Sequence, residues 1–201
     1  MQQALAQLQR DPVMAGIIER IGPCDLSYRE PTFAALVLSI MAQQISSKVA
    51  RVFKQRLLDR MPDGVITPEA ILRMRVATFR KIGLSAAKTE YIRDLARKTL
   101  SGELAFERFP EMPDDEVIEH LVKVKGIGVW TAHMFLLFAL RRPDVLPIGD
   151  LGIRAAIKRA YALPELPKPA DMERIAATWR PWCSIACWYL WRSLDDPGEM
   201  V

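Results

Sequence analysis

The chain has 201 residues, half of them apolar, with 28 lysines and arginines against 24 acids and a net charge of +4. That length serves one domain or two lobes on a shared core, and the apolar fraction excludes a disordered chain. Three cysteines with no Cys-x-x-Cys pair exclude a disulfide scaffold and an all-cysteine metal cluster, while the mildly basic balance favours polyanions without specifying nucleic acid.

The chain opens with no basic-plus-apolar signal segment, and its longest apolar run, around Met134 to Leu140, is too short to span a bilayer. The expectation is a cytoplasmic, reduced protein with no membrane partner. Cys183 and Cys187 lie one helical turn apart in an apolar run and read as buried thiols.

The pattern is helical throughout. Asp11-Pro12 reads as a cap followed by proline at the first helical position, with Val13, Ile17, Ile18 and Ile21 at helical spacing and Gly22-Pro23 as the stop. Pro31-Thr32 opens a strongly apolar helix through Phe33, Leu36, Val37, Ile40 and Met41. A polar interruption, Ala42-Gln43-Gln44-Ile45-Ser46-Ser47, precedes a basic helix from Lys48 to Met61. Thr67-Pro68-Glu69 starts a short helix, Arg75 to Lys81 reads as another closed by Gly83, and Ser85 caps a helix ending at Gly102. Acids at Asp114, Asp115 and Glu116 suit a first turn. Val129–Leu140, Leu151–Tyr161, Met172–Trp179 and Trp182–Leu194 complete the set. No alternating strand pattern and no repeat occurs, so an irregular all-α fold of about ten short helices is expected.

Two features carry chemistry. Gly126-Ile127-Gly128 joins two helices, with Val129 opening the second; amide N–H groups at such a turn form an anion site that a DNA phosphate fits. A single carboxylate, Asp150, stands between Gly149 and Gly152 at the start of the Leu151 helix. Taken alone, the first reads as a plain helix–helix turn and the second as a helix cap. A Rossmann fingerprint fails for want of a strand and a third glycine, and a P-loop for want of Gly-Lys-Ser/Thr. Asp144, the nearest rival carboxylate, reads as a solvated turn residue. Arg154, one turn after Asp150, could touch it or a phosphate. Neither His120 nor His133 is needed as a metal ligand.

The combination is more specific than its parts. Leu121 followed by Gly126-Ile127-Gly128, Trp130-Thr131-Ala132 and then Leu146-Pro147 before Asp150 and Gly152-Ile153-Arg154 resembles the helix-hairpin-helix (HhH-GPD) DNA glycosylase superfamily. Ala42-Gln43-Gln44-Ile45-Ser46 resembles that family's DNA-probing loop. Ile82-Gly83-Leu84-Ser85-Ala86-Ala87-Lys88 resembles its Leu-Gly…Lys turn, and Trp179-Arg180-Pro181-Trp182-Cys183-Ser184 its Arg-Pro-Trp run. The branch most resembled is 3-methyladenine DNA glycosylase II (AlkA-like), without that branch's N-terminal β-rich domain.

The resemblance implies an all-α HhH-GPD fold of two helical lobes, with a DNA-binding cleft between them. One lobe would comprise residues 1–30 plus 145–201 and the other 31–144, the latter ending in the hairpin at about 117–140. It implies a monofunctional DNA glycosylase of base excision repair. Such an enzyme is a monomeric hydrolase, nucleoid-associated if prokaryotic, that flips alkylated bases such as 3-methyladenine and 7-methylguanine from damaged double-stranded DNA and hydrolyses the N-glycosidic bond. Asp150 is the implied catalytic carboxylate. Trp130, where a strand-cutting relative carries a Schiff-base lysine, and Trp182 are implied walls of the base pocket, with Met134, Leu151 and Phe33; Met134 and Leu151 replace tyrosines common there. Trp179, Trp188 and Trp191 read as core. Gln43, Gln44 and Ile45 would probe the duplex, Gln44 at the wedge position. Lys125, Gly126, Gly128, Val129, Thr131, Ser85 and Lys88 would hold phosphate. No cofactor is required, though main-chain carbonyls of Val122, Val124 and Ile127 match positions where the family holds a structural Na+, K+, Ca2+ or Mg2+. A non-catalytic DNA-binding module and a glycosylase for another lesion class, such as hypoxanthine or ethenoadenine, are the competing readings; a metal-dependent nuclease lacks its carboxylate cluster.

Overall fold

The computed structural model describes residues 1–195. Among them lie twelve α-helices: α1 (Gln2–Leu8), α2 (Pro12–Ile21), α3 (Phe33–Ala42), α4 (Ser47–Leu58), α5 (Pro68–Arg73), α6 (Val76–Ile82), α7 (Ala86–Leu100), α8 (Asp114–Val122), α9 (Val129–Phe138), α10 (Leu151–Ala160), α11 (Pro169–Ala176) and α12 (Cys183–Asp195). Short 3-10 helices cover Pro62–Gly64 and Phe106–Glu111. The side chains of Asp11, Thr32, Thr67, Ser85 and Asp150, at the expected helix starts, accept first-turn amides of the helices they precede, and so does Ser46, which the sequence reading had placed in the probing loop. Helix α1 was not expected, because only Ala4 and Leu8 of it are buried and its apolar stripe is too narrow to read.

The chain divides into two units, Met1–Tyr28 with the chain from Leu136 onward, and Arg29–Phe135. The division falls inside α9, earlier than the expected boundary at residue 144. The reason lies in the packing of the segment after Phe138. Ser184 Oγ donates to Arg142 O at 2.6 Å, Ser184 N to Pro143 O at 2.9 Å, and Val145 N to Ser184 Oγ at 3.1 Å. Phe138 stacks on Trp191 at 5.9 Å. These bonds assign the segment to the unit that holds α12.

In the first unit α12 packs on α10 and α2. Its core contains Leu8, Met14, Ile17, Ile153, Ile157, Trp179 and Tyr189, all buried. Tyr189 Oη donates to Gly22 O at 3.0 Å, joining α12 to the end of α2. Asp11 does more than cap α2. Its Oδ1 accepts Val13 N at 2.9 Å, and its Oδ2 accepts Tyr161 Oη at 2.5 Å and Trp179 Nε1 at 3.3 Å. Burial, then the neighbouring carboxylate, pushes the Tyr161 phenol far above its ordinary pKa, so it stays a donor. Asp11→Ala is expected to lower unfolding free energy by about 2–4 kcal/mol, because it removes a cap, takes the acceptor from the half-buried Tyr161 hydroxyl, and leaves the buried Trp179 Nε1 with Tyr161 Oη alone; urea denaturation measures it, and a loss of under 0.5 kcal/mol contradicts the account. Cys183 and Cys187 are buried, as expected, and burial raises both thiols well above their usual pKa.

In the second unit α7 is the central helix, in contact with α3, α5 and α6. Thr89, Ile92, Asp94, Leu95 and Ala96 of it are buried. Phe106, Phe109 and Phe135 form an edge-to-face cluster with centroids 5.3–6.2 Å apart. By contrast α4 buries only Leu57 and exposes Lys48, Arg51 and Lys54.

Candidate active site and nucleic-acid interface

Asp150 ends the Leu146–Gly149 turn, with its own N–H donating to Pro147 O at 2.8 Å. Its side chain is only 8% exposed. Oδ1 accepts Ile153 N at 2.7 Å, as an N-cap does, and also Trp191 Nε1 at 3.1 Å. Gly152 permits this approach: a Cβ there would lie 3.1 Å from Asp150 Oδ1 and 3.3 Å from Trp191 Cδ1. The carboxylate is therefore fixed by an amide and an indole N–H, beside an aromatic ring that is itself braced by Phe138. Trp191 was read as core; it is half-buried and touches the carboxylate. No sequence signal distinguishes it, because its position on an apolar helix is that of a core residue.

One neighbour differs from expectation. Asp144 is no solvated turn residue: it pairs with Arg180 at 2.9 Å and accepts Cys183 N at 3.3 Å, capping α12. The Arg154 side chain, read as able to meet Asp150 or a phosphate, donates from Nε to Pro167 O at 3.1 Å, while its backbone N–H donates to Asp150 O at 3.0 Å. Leu151, one residue past Asp150, is 65% exposed, and Trp182 is half-buried.

The second unit contributes the hairpin and the expected probe. Lys123 to Gly128 turns the chain from α8 into α9, with Ile127 N donating to Val124 O at 3.1 Å. Gly126 has φ +77°, and a Cβ there would overlap the Tyr91 ring. Glycine is required twice over, for the backbone and for the ring. Asp94, a buried carboxylate on α7, accepts Lys125 N at 3.0 Å. It was missed, although an acid inside the buried stripe of α7 is a detectable signal. The Lys125 side chain is exposed, with Nζ 3.5 Å from Glu90. Val129 and Gly128 are exposed, while Thr131 is buried. Trp130 is 44% exposed, Met134 half-buried and Phe33 buried within the unit.

Of the three expected probes Gln43, Gln44 and Ile45, Gln44 is the exposed one. It is exposed with φ +56°, a conformation that costs a non-glycine residue roughly 1 kcal/mol or more. Gln43 is half-buried, and its Nε2 donates to Gly126 O at 3.0 Å. Ile45 lines an open groove of about 670 Å³ with Leu38, Met41 and Ala42. Ser85 Oγ accepts Lys88 N at 3.2 Å, and Lys88 Nζ donates to Met41 O at 2.9 Å and Gln43 O at 2.5 Å. Both phosphate candidates on α7 thus have internal partners. His133 is half-buried on α9, and burial lowers its pKa against the opposing field of Asp114. His120 Nδ1 lies 3.2 Å from Glu103 O.

Residues 37–181 match the family model described as HhH-GPD superfamily base excision DNA repair protein. The chain belongs to that superfamily. The DNA-3-methyladenine glycosylase 1 of Schizosaccharomyces pombe is 34% identical over 167 residues, 82% of this chain and 73% of its own. The structure of the S. pombe 3-methyladenine DNA glycosylase Mag1 in complex with abasic DNA superposes with a TM-score of 0.87 at 30% identity, covering 99% of this chain and all of that one. A DNA-3-methyladenine glycosidase from Bacillus halodurans gives 0.82 at 34% identity, over 93% of this chain and 86% of that one. The all-α HhH-GPD fold expected from the sequence is therefore the fold of this chain, and no helix among the described residues is long and apolar enough to cross a membrane.

Proposed function

We propose that this member of the HhH-GPD superfamily is a monofunctional DNA glycosylase that hydrolyses the N-glycosidic bond of alkylated bases in double-stranded DNA. The observation that carries the proposal is Asp150, a buried carboxylate held by Ile153 N and Trp191 Nε1. Departure of the base leaves positive charge on the sugar, and a fixed carboxylate in apolar surroundings stabilises that charge more strongly than one in water. The base takes the bonding electrons as it departs; water then adds to the cationic sugar carbon and releases a proton to solvent, leaving a hydroxylated abasic sugar. Asp150 orients that water or faces the cation directly.

The remaining roles follow from chemistry. The turn at Gly126 and Gly128 opens α9, and the amides there suit a backbone phosphate, with Lys125 adding charge. Carbonyls of Val122, Val124 and Ile127 are hard oxygen donors of the kind that suit Na+, K+, Ca2+ or Mg2+; such an ion would supply positive charge beside the phosphate. Gln44 fills the space left by the flipped base. The exposed Trp130 ring offers an electron-rich face to cationic methylated bases, worth about 0.5–2 kcal/mol. Trp130 also leaves no amine there for a Schiff base, which supports base release without strand cleavage.

The test is chromatography of bases released from methylated genomic DNA, run beside borohydride trapping. Release of 3-methyladenine and 7-methylguanine with no trapped adduct is expected. A covalent adduct refutes the monofunctional reading. Release confined to hypoxanthine or ethenoadenine reassigns the lesion class, and no release from any lesion makes the chain a DNA-binding module.

A further inference from the structure

Lys88 sits in the first turn of α7, where the helix dipole disfavours a cation. Its ammonium points instead at the end of α3, donating to Met41 O at 2.9 Å and Gln43 O at 2.5 Å. Helix α3 has no basic residue of its own in its last turn, so Lys88 supplies the charge that its C-terminal carbonyls favour. Those carbonyls flank the point where the chain leaves the helix. Gln43 turns to φ −54° and ψ 133°, and Gln44 takes the strained φ of +56°. A strained residue at an exposed tip keeps one conformation only if its neighbours hold it. Lys88 holds one side. On the other, Gln43 Nε2 donates to Gly126 O, the carbonyl of the glycine that packs on Tyr91.

We propose that Lys88 is a positioning residue rather than a phosphate ligand: it sets the 43–45 loop so that Gln44 is presented to the duplex, and Gln43 fastens that loop to the hairpin. Phosphate grip and base probing are then coupled through Gly126 O. Gln43, on this account, is a strut and Gln44 alone is the probe. The inference rests on the reading of the chain as a lesion-binding DNA glycosylase.

The experiment uses the full chain and a duplex carrying a tetrahydrofuran abasic site opposite 2-aminopurine. Wild type should bind with strong salt dependence and change the 2-aminopurine fluorescence as Gln44 fills the gap. Lys88→Met should bind about tenfold more weakly, the scale of lost hydrogen bonds from a charged donor. It should lose the fluorescence change yet keep the wild-type slope of log Kd against log salt. Gln44→Ala should lose the same signal, and the double variant should be no weaker than the worse single one. Lys88→Arg, which keeps a cation and several donors, should recover part of the fluorescence response. Should the methionine variant fail to fold, Lys88→Gln, which can reach one carbonyl, is read by the same measures. A slope reduced by about 0.9 with the fluorescence response intact makes Lys88 a phosphate ligand and overturns the proposal; so do unchanged affinity and fluorescence. If wild type itself shows no preference for the abasic duplex, the functional reading fails instead.

Discussion

Asp150→Asn is expected to abolish measurable base release while leaving lesion-duplex affinity within about threefold of wild type. The substitution is nearly isosteric. Asparagine caps helices as well as aspartate does, so the bond from Ile153 N survives. The amide oxygen can still accept from Trp191 Nε1. What disappears is the negative charge, and with it the stabilisation of a cationic sugar and the ability to orient a water as a base. Loss of such a group lowers rates by about 10²–10⁴-fold. Single-turnover excision and anisotropy titration on one preparation separate the two effects. Retained excision would remove Asp150 from catalysis and leave it as a helix cap. Equal loss of binding and excision would place its role in holding α10.

Gly126→Ala acts on the other half of the function. The residue sits at φ +77°, and its missing Cβ is what admits the Tyr91 ring. An alanine carries a left-handed backbone penalty of about 1–2 kcal/mol and must also displace the ring. The turn shifts, and Gly126 O moves away from Gln43 Nε2. Duplex affinity is expected to fall by about 10–100-fold, with a shallower salt slope as a phosphate contact is lost. Adding Tyr91→Ala should restore part of the affinity, because it removes the overlap but not the backbone penalty. An alanine variant that binds like wild type would show that the hairpin does not grip DNA through this geometry. Circular dichroism keeps the comparison among folded proteins.

The two variants attack residues of very different legibility. Asp150 was readable because glycines frame it and a motif runs through it, yet its local sequence describes a helix cap equally well. It is in fact a cap, and the same oxygen that caps also meets Trp191. Gly126 was readable as a turn. Its contact with Tyr91, and the use of Asp94 to hold Lys125 N, were not. Lys88 was read as a phosphate ligand, and its bonds to Met41 O and Gln43 O were not legible, because a lysine near a turn looks the same whether it meets a phosphate or a carbonyl.

The sequence by itself determined the helical class, most helix starts, the hairpin and the single carboxylate. Those follow from short-range physics: apolar spacing, capping side chains and glycine backbone freedom act within a few residues. Tertiary structure decided which side chains serve those features. Trp191 lies 41 residues from Asp150, Lys88 45 from Gln43, and Gln43 83 from Gly126. Hydrogen bonds over such separations depend on how helices pack, and no local pattern encodes that. The same cause set the division between the units, where Ser184 holds Arg142 and Pro143, residues that the sequence reading had assigned to the other side.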